Sequence, residues 1–209
     1  MFSLQTIFGK GDKFYGLLEA SADAARQSTR ALISLLNAPV STRSLDEFRV
    51  TRRREKELFA QISQALVDTF VTALEREDIE ALAGALYKIP KTVEKFAERY
   101  VLFSDRLVDV DFASRAAMLE KATDVIVQMT SQLRSGPHLD VMRDLNERMQ
   151  SIESEADRLI LELYRDLFTN EHDPSKLLLQ KDLFELLEKA IDRCRDAGNV
   201  IFQIVLKNS

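Results

Sequence analysis

Apolar residues return at three- and four-residue spacing along nearly the whole of this 209-residue chain, in stretches of roughly 25 to 30 residues. That period excludes most folds, because a half-buried strand needs strict alternation and a membrane span needs about 20 uninterrupted apolar residues. Only 6 Gly and 4 Pro punctuate the chain, too few for the many tight turns of a sandwich or barrel. The hydrophobic fraction of 45% beside 30% charged residues is the mixture expected of amphipathic helices.

Six helical stretches are predicted. The first runs from about Asp12 to Leu36 with Phe14, Leu17, Leu18, Leu32 and Leu35 in register, and Asn37-Ala38-Pro39 ends it. Before it, Met1 to Phe8 reads as a short arm without the charge pattern of a signal peptide. The second starts near Ser44 and carries Phe59, Ile62, Leu66, Phe70 and Leu74 on one stripe. The third continues through Ile79, Leu82, Leu86, Ile89, Val93, Phe96 and Tyr100, with Pro90 expected to kink or widen it rather than stop it. The fourth follows Val108-Asp109-Val110-Asp111 and breaks at Ser135-Gly136-Pro137. The fifth carries Leu145, Met149, Ile152, Ala156, Leu159, Leu163 and Leu167. A loop from Thr169 to Asp173-Pro174 opens the last, with Leu183, Leu187, Ala190, Cys194, Ala197, Ile201 and Ile204 on its seam. The expected fold is therefore an all-α, elongated six-helix bundle. It reads as one domain over 1–209, made of two three-helix repeats at about 12–107 and 110–207.

The polar residues beside these seams carry the functional information. Glu153 and Asp157 are four apart on the fifth helix and share a face; Glu185, Glu188, Asp192 and Asp196 form an acidic edge on the sixth. Two such edges on adjacent helices can converge on a cation through hard oxygen ligands suited to magnesium, calcium, manganese or iron. The same pattern is also compatible with a solvated face neutralised by Arg158, Lys189, Arg193 and Arg195. The first half carries the opposite sign: Arg52 and Lys56 on its second helix, and Lys88 and Lys91 on its third, are candidates for contact with an anion or a partner.

Other chemistries find little support. The net charge of -5 lacks the basic excess that nucleic-acid binding requires, so no nucleic-acid partner is expected. Gly9-Lys10-Gly11 lacks the rest of a phosphate-binding loop, and the single cysteine, Cys194, lies on an apolar seam. His138 and His172 do not fall in the Glu-x-x-His spacing of a di-iron bundle. A metal-dependent hydrolase would need a base or nucleophile beyond the ligands, and none can be nominated, so the chain is expected not to be an enzyme.

In this order of motifs the chain resembles the PhoU-like phosphate transport regulators. The resemblance spans essentially the whole chain. It rests on Ile7-Phe8 through Lys13-Phe14-Tyr15, on Phe70 followed by Leu74-Glu75-Arg76-Glu77-Asp78-Ile79, on Glu153-Ser154-Glu155-Ala156-Asp157, and on Lys181 to Glu188 running into Asp192-Arg193-Cys194-Arg195-Asp196. It implies two three-helix repeats whose acidic motifs can hold a multinuclear metal cluster. The second repeat matches at Glu153, Asp157, Asp192 and Asp196, with Glu188 or Glu185 assisting. The first repeat departs from the pattern, reading Arg52, Lys56, Tyr87 and Lys91, so at most one metal-binding half is expected. The implied cofactor is a metal ion, with iron, manganese, magnesium, zinc and nickel all open. The implied role is a non-enzymatic regulator or accessory protein of phosphate transport. It would be cytoplasmic, peripheral to the inner membrane through a phosphate permease or phosphate-sensing protein, with no direct membrane insertion. The alternative is a metal-free helical adaptor that forms homo-oligomers by pairing its basic and acidic faces.

Overall fold

In the computed structural model, which describes residues 4–136, 138–170 and 173–208, with side chains from residue 13 onward except at 170, the chain forms α-helices and short turns. Six α-helices follow one another among the described residues: α1 Leu4–Asn37, α2 Asp46–Asp68, α3 Arg76–Leu102, α4 Ala113–Ser135, α5 Leu139–Asn170 and α6 Pro174–Lys207. At about 1.5 Å rise per residue, the longest extend roughly 50 Å. Single 3-10 turns, Val40–Thr42 and Ser104–Arg106, bridge the α1–α2 and α3–α4 connections, and no strand is present among the described residues. No described helix is long and apolar enough to cross a membrane.

Local chemistry sets several of these boundaries. Pro90 lies within an uninterrupted α3, because flanking apolar residues Leu86, Ile89 and Val93 are fully buried and hold the helix through the missing hydrogen bond. Gly136 ends α4 at φ 86°, a backbone conformation that side chains disfavour. Asp173 caps α6 by accepting from the Ser175 amide at 2.9 Å, with Pro174 in the first turn. The Glu171 and His172 of that connection, like Pro137, fall outside the described residues.

Two expectations are corrected. The N-terminal segment is helical from Leu4, continuous with α1, so the expected arm and the start near Asp12 both give way to a longer helix. The second helix ends at Asp68, so Phe70 is not on its stripe and is 99% exposed beside the exposed Val67 and Val71. The continuous three-four spacing misled there because Leu74 remains buried, reached through a loop rather than another helical turn. That loop is held by Arg76, whose Nη1 donates to Thr69 O at 2.8 Å and Nη2 to Leu66 O at 2.5 Å, satisfying carbonyls at the α2 C-terminus.

Within each half the three helices pack on one another in all pairs: α1, α2 and α3 in the first, α4, α5 and α6 in the second. Across the halves α1 lies on α4 and α3 on α6, and one hydrophobic cluster runs through both. An aromatic knot ties the seam. Phe112, at the start of α4, meets Phe184 of α6 at 4.6 Å between ring centroids and meets Phe96 and Tyr100 of α3 edge-on at 5.4 and 5.7 Å. Ion pairs reinforce it from outside: Arg134 with Glu19 across α4–α1, Lys207 with Glu75 and Asp78 across α6–α3, and Arg99 with Asp182.

Candidate metal centre

The pairing of α5 with α6 turns the two acidic edges toward each other. Glu153, Asp157 and Asp192 each offer a carboxylate oxygen, and these oxygens lie within 4.8 Å of one another. Opposed oxygens around one divalent cation stand about 4.2 to 5 Å apart, twice a bond of roughly 2.1 to 2.5 Å, so the three carboxylates can meet a common ion with small side-chain movement. The donors are all hard oxygens, which fits magnesium, manganese, calcium or iron better than zinc or nickel. Cys194, the soft donor nearest in sequence, is fully buried on the α6 seam, where burial pushes its thiol pKa up.

A groove of about 480 Å³ opens beside this cluster, between Ile160 and Tyr164 of α5 and the acidic edge of α6, and meets the trio at Asp192. Glu188 lines it, and burial first, then the Asp192 and Asp157 carboxylates, push its pKa to about 7. Asp192 is also raised, by burial, with Arg195 opposing and Asp157 and Asp196 adding to the effect. Crowded carboxylates of this kind gain from any cation among them.

The remaining two candidates are engaged by cations of the chain itself. Glu185 accepts from Lys181 and from the Tyr164 hydroxyl, and the Lys181 contact leads in holding its carboxyl below the usual range. Asp196 pairs with Arg193 Nη1 at 2.9 Å and with Arg195 Nη2 at 3.6 Å. Arg195 reaches further: its Nη1 donates to Glu153 Oε1 at 2.6 Å across the α5–α6 interface, and its Nη2 lies 3.8 Å from Asp192 Oδ1. Of the four basic residues that the sequence offered as neutralisers, Arg193 and Arg195 reach these acids, whereas Arg158 pairs with Glu162 at 2.5 Å.

The first half has different chemistry at the positions expected to correspond. Arg52 of α2 meets Tyr87 of α3, Nη2 to hydroxyl at 3.1 Å with the guanidinium carbon 4.6 Å from the ring centroid. Arg52 is 5% exposed and its Nε donates to Glu94 Oε2 at 3.1 Å. Expected as an outward contact, it is instead an internal counter-ion of the α2–α3 interface, and the basic face retains Lys56, Lys88 and Lys91, all exposed.

Sequence reasoning missed Tyr164, Lys181, Glu94 and the fully buried Glu55. Tyr164 falls seven residues after Asp157, hence on the same face, which was the available signal. Glu55 stands seven residues from both Phe48 and Ile62, an acid on an apolar stripe.

No family model matches the sequence. The chain is 26% identical over 140 residues to the UPF0111 protein YkaA of Bacillus subtilis (strain 168), covering 67% of this chain and 68% of that protein. It is 22% identical over 201 residues to a protein of Rhizobium meliloti (strain 1021) named "Putative pit accessory protein", covering 94% of each. Two crystal structures from Shewanella oneidensis MR-1, a PhoU-like protein and a "putative PhoU-like phosphate regulatory protein", superpose with TM-scores of 0.78 and 0.77 at 17% identity, over 93% of this chain and 99% of each. At that level of identity the likeness is one of architecture: this chain has the PhoU-like all-α fold.

Proposed function

We propose that the protein is a non-enzymatic regulator or accessory factor of inorganic phosphate transport, acting through its helix faces on a phosphate permease or phosphate-sensing protein at the cytoplasmic side of the membrane. The observation that carries this reading is the 201-residue similarity to the pit accessory protein, which runs through both halves of the bundle rather than one segment. The PhoU-like fold supports the same role. Deleting the gene should alter phosphate uptake, and the tagged protein should co-purify with a phosphate permease. Unchanged uptake together with no such partner would overturn the assignment.

The α5–α6 groove is, in this reading, the place where the protein takes up a metal ion. Glu153, Asp157 and Asp192 would supply ligands, with Glu188 closing the site from α6. A bound divalent cation would neutralise the crowded carboxylates and fasten α5 to α6, so metal would tune the surface offered to a partner. Elemental analysis of the purified protein beside an E153Q/D192N double variant tests it. Metal retained by the wild type and lost by the variant, at equal helicity by circular dichroism, is the expected result.

A further inference from the structure

Arg195 makes contacts that a surface residue on a charged helix face does not ordinarily make. Its guanidinium lies against three acids drawn from two helices: Glu153 at 2.6 Å, Asp196 at 3.6 Å and Asp192 at 3.8 Å. Two of those three, Glu153 and Asp192, belong to the trio able to converge on a cation. Burial works against the charge of Arg195, yet Asp192, Glu153 and Asp196 together raise its pKa, so it stays a fixed positive charge. Its long stem allows the head to swing out of the groove without moving α6, since the residue is itself about a third exposed.

We propose that Arg195 is a tethered counter-cation of the α5–α6 groove, occupying the carboxylates of Glu153, Asp192 and Asp196 until a divalent metal displaces it. The inference rests on the metal-binding reading of the groove and adds a regulatory element to it. The metal ion and the guanidinium compete for the same carboxylates, and two cations held that close repel each other, so a metal seated on Glu153 and Asp192 weakens the short charge-assisted hydrogen bond that Arg195 donates to Glu153 Oε1. Metal entry then breaks the Arg195–Glu153 bond and expels a guanidinium to the groove rim. In the apo protein Arg195 offsets part of the acidic charge and helps hold α6 to α5, and the threshold metal concentration is set by how firmly it holds on. Loading exchanges a covered arginine for a free one, which is a change of charge pattern on the surface beside the groove.

The test is manganese(II) binding by isothermal titration calorimetry, with thermal melts in parallel, on the wild type, R195Q and K189Q. Lys189 lines the same groove without making these ion pairs, so K189Q removes equal charge and reports only the through-space effect. With salt at physiological strength screening distant charges, R195Q is expected to bind on the order of tenfold more tightly, and K189Q to change by less than about threefold. Apo R195Q should melt below the apo wild type and be raised more by manganese. Equal affinity in wild type and R195Q overturns the proposal and leaves the metal reading standing, as does an equal gain in K189Q. Absence of manganese binding in every variant removes the metal reading and the proposal with it. Should R195Q fail to fold, R195M keeps the apolar stem and removes the charge, and an unchanged affinity there overturns the proposal equally.

Discussion

Glu55 is fully buried on α2, neither of its carboxylate oxygens has a hydrogen-bond partner among the described residues, and burial raises its pKa to about 7 despite the Arg52 charge and nearby Ser21. An acid whose folded pKa lies above its unfolded value binds its proton more tightly in the native state. Stability therefore falls as pH rises from the unfolded value near 4.5 and levels off above the folded value near 7, where the charged form costs about 3 kcal/mol. An E55Q variant removes that ionisation and keeps a buried amide, so it should be more stable than the wild type by about 1 to 2 kcal/mol at pH 8 and by much less at pH 5. The comparison isolates Glu55 from the other titrating acids. Urea melts at the two pH values measure it, and a difference independent of pH would show that Glu55 is not ionising in the folded chain. At this scale the acidic trio was legible, because four-residue spacing on a helix fixes a shared face. Arg52 was not, since sequence gives its charge and helix but not that Glu94 and Tyr87, some 35 to 42 residues away, draw it inward.

The helices themselves were legible in kind and number from the apolar period, and their ends were legible where a residue with special backbone chemistry marks them. Asp173-Pro174 and Gly136 are such markers. The end of α2 was not, because Arg76 stops it from outside by binding the Thr69 and Leu66 carbonyls, a contact that no local pattern announces. Removing that clamp with R76A should lower stability by about 1 kcal/mol, read as a shift in the urea midpoint at unchanged slope. Glycine placement gives a pair of substitutions of opposite sign. Gly198 is buried in the middle of α6, yet a Cβ there would meet Met129, Ile126 and Met149 at 3.5 to 3.6 Å, ordinary contact distance. G198A should therefore gain about 0.5 to 1 kcal/mol from helix propensity. At Gly136 there is room for a Cβ but the backbone sits at φ 86°, so G136A should lose about 1 kcal/mol or more. Thermal denaturation of the two variants decides both, and destabilisation by G198A would mean that the Met129 and Met149 side chains cannot yield.

For the whole molecule the question is whether the two halves fold separately or together. The same triangular packing of three helices recurs in each half, which alone would allow two independent units. Against that, α1 lies on α4 and α3 on α6, the buried cluster is continuous, and Phe112 packs on Phe96 and Tyr100 of one half and on Phe184 of the other. Separating the halves would strip these faces of their cover, exposing apolar surface at about 25 cal/mol per Å², a loss that a three-helix unit of about 100 residues has little margin to absorb. The bundle should therefore unfold in one transition, with calorimetric and van't Hoff enthalpies in agreement. Truncating the knot with F112A should lower stability by about 3 to 5 kcal/mol and move that single transition down as a unit. Two resolved transitions in the wild type, or an F112A melt that shifts only part of the signal, would show instead that the halves are thermodynamically separate. Cooperative folding matters for the proposed role, because a metal fastening α5 to α6 would alter a distant face only if the two halves answer as one body, and the packing of α3 on α6 is the contact that joins them there.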